Sequence, residues 1–412
     1  MSGPAKSEAE TALIETARRV LPAGTFGNFS ADVVIREGRG GRVWDESGNE
    51  YVDFLLGSGP MFVGHARPEV TDAVLAQVPK GTTFFANNAA GIGLAEAICD
   101  AVACADKVRF VSTGSEATFY AMRIARAHRR RDRILKFEGG FHGMSDYALM
   151  SMAPKRPANF PQAVPDSAGI PSKVRDEMLI APFNDLETAV GLIREYRDEL
   201  AGVIVEPFQR LLPPRPGFLE GLRAVTAELG IPLIFDEVVT GFRFAYGGAQ
   251  AYYGVTPDLC ALGKIVGGGF PLAAVAGRDE LMLHFDKDGV AEDEFAPQDL
   301  QGRQAGTYEA VFETGRALMA GLEETLRGAG FAVRVVGEPP LFDVLFTDRD
   351  VTDYRTTITA DAGLLRRFNA LLRERGILKG ESKYYVSVAH DAADVKHTMD
   401  AWAEAAKLLK AG

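Results

Sequence analysis

The residues with the most chemical potential in this 412-residue chain sit in two short runs. Ile234-Phe235-Asp236-Glu237-Val238 is an apolar stretch that ends in acids. Ala261-Leu262-Gly263-Lys264-Ile265 is a second, delivering a lone lysine just before Gly267-Gly268-Gly269. Short apolar runs bounded in this way read as buried strands, which puts Asp236 and Lys264 at strand ends. Taken singly, each would be an ordinary strand-end acid or a solvated lysine. Together they meet a requirement of pyridoxal phosphate chemistry: an amine that forms a Schiff base, and a carboxylate that keeps a pyridine nitrogen protonated.

Other segments add the rest of such a site. Phe110-Val111-Ser112-Thr113-Gly114-Ser115-Glu116-Ala117 reads as a strand, a glycine turn and a helix start, where backbone donors can hold a phosphate; an N-cap at Ser115 with Glu116 in the first turn fits the same residues. Glu138-Gly139-Gly140-Phe141-His142-Gly143 sets an aromatic ring among glycines that allow close backbone approach. Val205-Glu206-Pro207 ends a further strand in an acid, for which Arg243 is the candidate partner. Val238 is either a core valine or a contact for a bound ring.

These segments, with Gly247-Gly248-Ala249-Gln250 and Gly254-Val255-Thr256-Pro257-Asp258, resemble the class III (subgroup II) pyridoxal-phosphate aminotransferases, and within them the glutamate-1-semialdehyde aminomutase group. The resemblance covers nearly the whole chain and is densest between Gly114 and Gly269. It implies the fold type I architecture of pyridoxal-phosphate-dependent transferases. Lys264 would carry the cofactor and then move a proton, and Asp236 would face the pyridine nitrogen. Gly114 and Ser115 would hold the phosphate, Phe141 would stack on the ring with His142 beside it, and Val238 would press on the opposite face. Glu206 would lie near the phenolic oxygen or the substrate. The resemblance also implies a homodimer with shared active sites, acting on a small amino donor and a carbonyl acceptor.

The chain departs from the family pattern where substrate would meet cofactor. The family's phosphate-contacting threonine, given by the neighbouring subunit, lies in a Gly-Thr-x-Ser-Gly-Asn context; here the run is Gly302-Arg303-Gln304-Ala305-Gly306-Thr307. Arg303 is the expected substitute, through a charge-assisted contact, with Thr307 or Gln304 as alternatives. Leu21 to Ser30 lacks the arginine that the aminomutases use for a substrate carboxylate, and instead carries Phe26 and Phe29. Leu56-Gly57-Ser58-Gly59-Pro60-Met61 lacks their tryptophan, and Met144 stands where a second histidine is common. A lost polar contact costs on the order of 10⁴-fold in discrimination, so these changes imply a kept cofactor machinery and an altered substrate pocket. The expected activity is an aminotransferase. A 2,1-aminomutase and an amino-acid racemase or epimerase are the enzyme alternatives; a cofactor-binding scaffold without catalysis is the alternative from another class. Arg243, Lys379 and Lys383 are the candidate cations for a substrate carboxylate, with Lys379 and Lys383 equally readable as ordinary surface lysines.

The elements that must position these residues are legible as alternation. Glu8 to Leu21 reads as an amphipathic helix, and Val33 to Phe54 as a small antiparallel meander turning at Ser47-Gly48-Asn49. From Pro68, helices alternate with short apolar strands at Val108–Val111, Ile134–Phe137, Gly202–Val205, Pro232–Phe235, Asp258–Leu262 and Leu272–Val275. That pattern predicts an α/β fold: a mostly parallel central sheet with helices on both faces. Ala153 to Val174 reads as a long loop, a candidate lid, and Asp286 to Gly302 as an active-site or interface segment. Past Tyr308 a long helix, strands at Phe331–Val336 and Leu341–Phe346, and helices near Ala362–Arg375 and at the end give an α+β small domain. The expected divisions are 1–60, packing with that small domain, 61–305 as the cofactor-binding domain, and 306–412.

Composition narrows the class. A net charge of −11 argues against nucleic acid or anionic membrane as a partner, and His128-Arg129-Arg130-Arg131-Asp132-Arg133 reads as a helix end rather than a nucleic-acid patch. No apolar run approaches spanning length and the first residues lack the pattern of a signal peptide. Cys99, Cys104 and Cys260 have no metal-ligand spacing and read as reduced thiols. The expectation is a cytoplasmic enzyme that binds no metal.

Overall fold

The computed structural model describes all residues except 1–4, 27–30, 54, 210–211, 286–307, 340, 352–358, 378, 380–383, 387–389, 391 and 412. Two compact units divide the chain, one within Met1–Pro297 and one within Gln298–Gly412.

The first unit contains the meander, β1 (Ile35–Arg39), β2 (Arg42–Asp45) and β3 (Glu50–Val52), and a seven-stranded sheet. That sheet is built from β4 (Lys107–Val111), β5 (Arg133–Phe137), β6 (Met178–Ala181), β7 (Leu200–Val205), β8 (Leu233–Glu237), β9 (Leu259–Leu262) and β10 (Ala273–Gly277), in the order β4-β10-β9-β8-β7-β5-β6. β5 to β9 run parallel, and β10 is antiparallel to both its neighbours. All six strands read from the sequence are present; β6 was not among them.

Alternate residues of the central strands enter two separate cores. Leu135, Phe137, Val203, Val205, Leu233 and Phe235 join one cluster, while Ile134, Ile204 and Ile234 join the other. Helices therefore cover both faces, which is why these strands read as continuous apolar runs rather than as an alternation. The register then places the chemistry. Asp236 pairs with Ala261 and Glu237 with Leu262, so the carboxyl ends of β8 and β9 are neighbours and bring Asp236 and Lys264 to one edge of the sheet. Val205 pairs with Phe235, adding Glu206 beside them.

The basic run is the end of the helix Gly114–Arg129, where Arg129 donates to the Leu229 and Arg197 carbonyls and Arg131 to that of Asp198. The 153–174 loop runs beside β6: Ile180 N–H donates to the Pro161 carbonyl, and Asp166 accepts from the Met152 and Ala153 amides. The expected segment from Asp286 to Gly302 lies outside the described residues.

The second unit holds the helices Tyr308–Gly328, Ala362–Arg373 and Ala392–Ala411, and an antiparallel sheet of β11 (Arg334–Glu338), β12 (Leu341–Leu345) and β13 (Tyr384–Tyr385). Leu322, Phe342, Val344, Phe368 and Trp402 form its buried centre.

Candidate active site

Lys264 follows β9 after one glycine and takes a left-handed backbone, φ 49°, which costs a non-glycine residue about 1–2 kcal/mol. Such strain is held only where the surroundings over-determine it. Its side chain is half-buried. Burial lowers its pKa, outweighing the opposite pull of Asp236 and Glu206, and Arg243 lowers it further. No hydrogen bond to its amine is found among the described residues.

The acids near this amine are committed elsewhere. Asp236 is 5% exposed at the end of β8; one carboxylate oxygen lies 2.8 Å from His142 Nδ1 and the other accepts from the Val238 amide at 3.1 Å. Glu206 is buried after β7 and accepts from the Phe141 amide at 3.0 Å. The expected partner of Glu206, Arg243, donates instead to the Gly59 and Val239 carbonyls and lies over the Phe62 ring.

The phosphate-type turn lies where β4 meets the helix Gly114–Arg129. The cap is Thr113, not Ser115 as the sequence suggested. Thr113 Oγ1 accepts from the Glu116 amide at 3.2 Å, and the Glu116 carboxylate accepts from the Ser112 and Thr113 amides at 2.9 and 2.8 Å. Among the described residues, this reciprocal box leaves the Gly114 and Ser115 amides without a bond at the positive end of a 16-residue helix. The Ser115 hydroxyl accepts from the Met144 amide, tying the turn to the Phe141 loop.

All these pieces meet in one cavity of about 200 Å³, lined by Gly114, Ser115, Thr118, Phe141, His142, Gly143, Glu206, Asp236, Val238, Val239 and Lys264. Its walls close only on glycine. A Cβ on Gly114 would lie 2.8 Å from Val238 Cγ1, and one on Gly143, at φ 92°, would lie 2.6 Å from Ser115 Cα. A cradle with this backbone approach, an unbonded amine, a buried carboxylate, an aromatic ring and free amides at a helix N-terminus fits pyridoxal phosphate. A larger cavity of about 610 Å³ lies elsewhere among Arg223, Asp258 and Arg278. There both guanidiniums pair with the Asp258 carboxylate and no lysine is among the lining residues, so chemistry rather than volume selects the smaller one.

Eight of the expected site residues are thus gathered: Gly114, Ser115, Phe141, His142, Glu206, Asp236, Val238 and Lys264. Arg303 and Thr307, with Gln304, lie outside the described residues, as does Phe29; Phe26 is almost fully exposed. Of the candidate carboxylate readers, Lys383 lies outside the described residues. Lys379 is neither surface nor available: it is buried in the second unit and spends its donors on Asp343 and Asn369. The sequence reading missed Thr118, whose hydroxyl donates to the His142 carbonyl at 2.6 Å. Its position four residues after Gly114 on the helix was the available signal.

Comparison with known proteins agrees with this geometry. The class-III aminotransferase family matches residues 26–310. A glutamate-1-semialdehyde 2,1-aminomutase from Methanothermobacter thermautotrophicus is 37% identical, over 97% of this chain and 99% of the relative. One of the same name from Methanosphaera stadtmanae is 35% identical, over 94% and 96%. Among solved structures, an omega-transaminase from Sphaerobacter thermophilus is 34% identical, with a TM-score of 0.66 over 98% of each chain.

Proposed function

The chain belongs to the class-III aminotransferase family, and from that premise we propose that it moves an amino group between carbon atoms with Lys264 as its reacting amine. The observation that carries this reading is the half-buried, unbonded Lys264 amine beside an Asp236 carboxylate that His142 already holds. The cofactor is pyridoxal phosphate, which supplies, when bound, an aldehyde that takes up amines and a protonated ring that accepts the electron pair released from a substrate carbon.

The chain's own residues then have distinct tasks. Lys264 would hold the cofactor through its amine and would carry a proton to and from the substrate carbon. Its lowered pKa favours the neutral, proton-accepting form that this task needs. Asp236, oriented by His142, would face the ring nitrogen. Phe141 and Val238, which line the cavity, would fix the ring plane, and the Gly114 and Ser115 amides would hold the phosphate. Arg303 or Thr307 would complete that phosphate site from a second copy of the chain. An apolar groove beside the site supports this homodimer: Met61, Val63, Val70, Val74 and Phe270 line it, and Phe62, Val63 and Phe270 stand more than half exposed. Its three free thiols suit the cytoplasm.

Two versions of the reaction fit. The relatives' name favours 2,1-aminomutase activity, in which one molecule gives and receives the amino group. The second, transfer between two molecules, is favoured by the missing arginine between Leu21 and Ser30, the missing tryptophan near Pro60, and the likeness to the omega-transaminase. Glutamate-1-semialdehyde given alone to the cofactor-loaded protein separates them. Formation of the isomer with nitrogen on carbon 1 establishes the mutase. No isomer, but transfer from an added donor to an added acceptor, establishes the transaminase. Absence of both, across a panel of amines and carbonyls, would sink the reading.

A further inference from the structure

Lys136 lies in β5, just ahead of the loop that carries Phe141 and His142. Its side chain is fully buried, an expensive place for an ammonium group. Nζ donates to the carbonyls of Gly140 at 2.9 Å, Ala148 at 3.0 Å and Met150 at 2.5 Å. An ammonium has three protons, so these contacts use its full donor capacity. The acceptors sit at the two ends of one loop, Gly140 at its start and Ala148 and Met150 at its close. The ammonium therefore ties that loop shut from the protein side.

Leu149 in the same loop accepts from the Asp166 amide and Arg126 lies over the Tyr147 ring, while four further ties involve residues that line the cavity. Glu206 accepts from the Phe141 amide, Asp236 bonds the His142 ring, Thr118 donates to the His142 carbonyl, and Ser115 accepts from the Met144 amide. Lys136 does not line the cavity. Its hydrogen bonds reach the loop that carries Phe141 and His142 through backbone carbonyls.

We propose that Lys136 is a positioning residue: its ammonium fixes the 140–150 loop so that Phe141 meets the face of the cofactor ring and His142 meets Asp236. The inference rests on the pyridoxal phosphate reading of the cavity. No bond to Lys136 forms or breaks in the reaction; its effect is on how tightly and in what orientation the cofactor is held.

The test compares Lys136→Met, which keeps the apolar stem without donors, with Lys136→Gln, which keeps an amide donor on a shorter stem. Cofactor affinity and the visible circular dichroism of bound pyridoxal phosphate are measured. Thermal melting and amide exchange are measured on the cofactor-free proteins. The expected order of affinity is wild type, then Gln, then Met, with a loss of roughly tenfold to hundredfold in Met, the scale found for outer-shell supports of a bound group. The visible dichroism should weaken, and faster exchange should be confined to residues near 139–150. Where Lys136→Met does not fold, Lys136→Gln carries the test by the same readouts. Wild-type affinity and dichroism in a folded variant overturn the proposal. So does failure of both variants to fold, or faster exchange spread through the sheet, since either makes Lys136 a general stabiliser. A wild-type protein that binds no pyridoxal phosphate would instead strike the reading of the cavity itself.

Discussion

Lys264, half-buried, and Lys379, whose side chain is buried, both stand near carboxylates, and both have amines whose pKa burial lowers. Their surroundings differ in one respect. Lys379 Nζ reaches both oxygens of Asp343, at 2.9 and 3.0 Å, and Asn369 Oδ1 at 3.1 Å, so its three protons are spent. Around Lys264 the acids already have other donors, His142 and the Val238 amide for Asp236 and the Phe141 amide for Glu206. A buried lysine whose hydrogen bonds are complete is a structural ion pair. One left incomplete beside occupied carboxylates is the arrangement that the proposed role of Lys264 needs.

The largest effect expected from this contrast is Lys264→Ala. Among the described residues lining the cavity no other group offers an amine, so turnover should vanish in a product assay while the fold, read by far-ultraviolet dichroism, persists. An active Lys264→Ala protein would end the assignment. Asp236→Asn comes next. It keeps the shape but removes the charge that His142 orients, and should lower turnover by about 10²–10⁴-fold, the range over which positioned proton chemistry acts. It should also weaken cofactor binding. Undiminished turnover in Asp236→Asn would mean that the carboxylate serves the fold, as Asp343 does.

The two lysines also show what a sequence exposes. Asp236 and Lys264 were legible because each ends an apolar run and because parallel strands bring their carboxyl ends to one edge. The strand-helix alternation gave the central sheet for the same reason: periodicity is local. β6 was missed because its four residues, Met178–Ala181, are too short to announce themselves. Lys379 was misread as a surface or substrate-binding lysine because Asp343 lies 36 residues away, and long-range pairing leaves no mark in a local pattern. Lys136 was passed over as the polar member of an apolar strand, and His142 was seen only as a neighbour of Phe141. Thr113 was displaced by Ser115 as the cap because both hydroxyls suit that turn, and only the bond to the Glu116 amide decides.

A smaller effect belongs to stability rather than turnover. Lys379→Met leaves Asp343 buried without its counter-charge, which should cost about 3–5 kcal/mol. Trp402, whose indole donates to Tyr384 in the same core, reports this unit once Trp44 is replaced by Phe. The pH dependence has a definite sign. Burial raises the Asp343 pKa even beside Lys379, and losing the lysine removes a term that lowers it. A carboxyl whose folded pKa exceeds its unfolded value penalises folding above the folded pKa, and the penalty fades as pH falls through it. The deficit of Lys379→Met in denaturant melts should therefore be largest near neutrality and shrink towards pH ~4. A deficit that grows on acidification would show that the carboxylate, not the lysine, is the favourably held partner.

Replacing both members, Lys379→Met with Asp343→Leu, should have the smallest effect of the series. Both groups lose solvation on folding, and for both the loss outweighs their mutual attraction in setting the pKa. An apolar pair of similar volume removes both penalties together with the attraction, a trade that in buried pairs ranges from neutral to about 1–4 kcal/mol stabilising. Asn369 loses a donor, and the Tyr384 ring loses a cation 4.6 Å from its centre, so the gain should fall at the low end. The double variant should thus melt in denaturant within about 1 kcal/mol of the parent, far above Lys379→Met alone. The same exchange at Lys264 and Asp236 would leave nothing to catalyse. A double variant at 343 and 379 as unstable as Lys379→Met would mean that the charged pair contributes something an apolar pair cannot, and the contrast between the two lysines would then have to rest on reactivity alone.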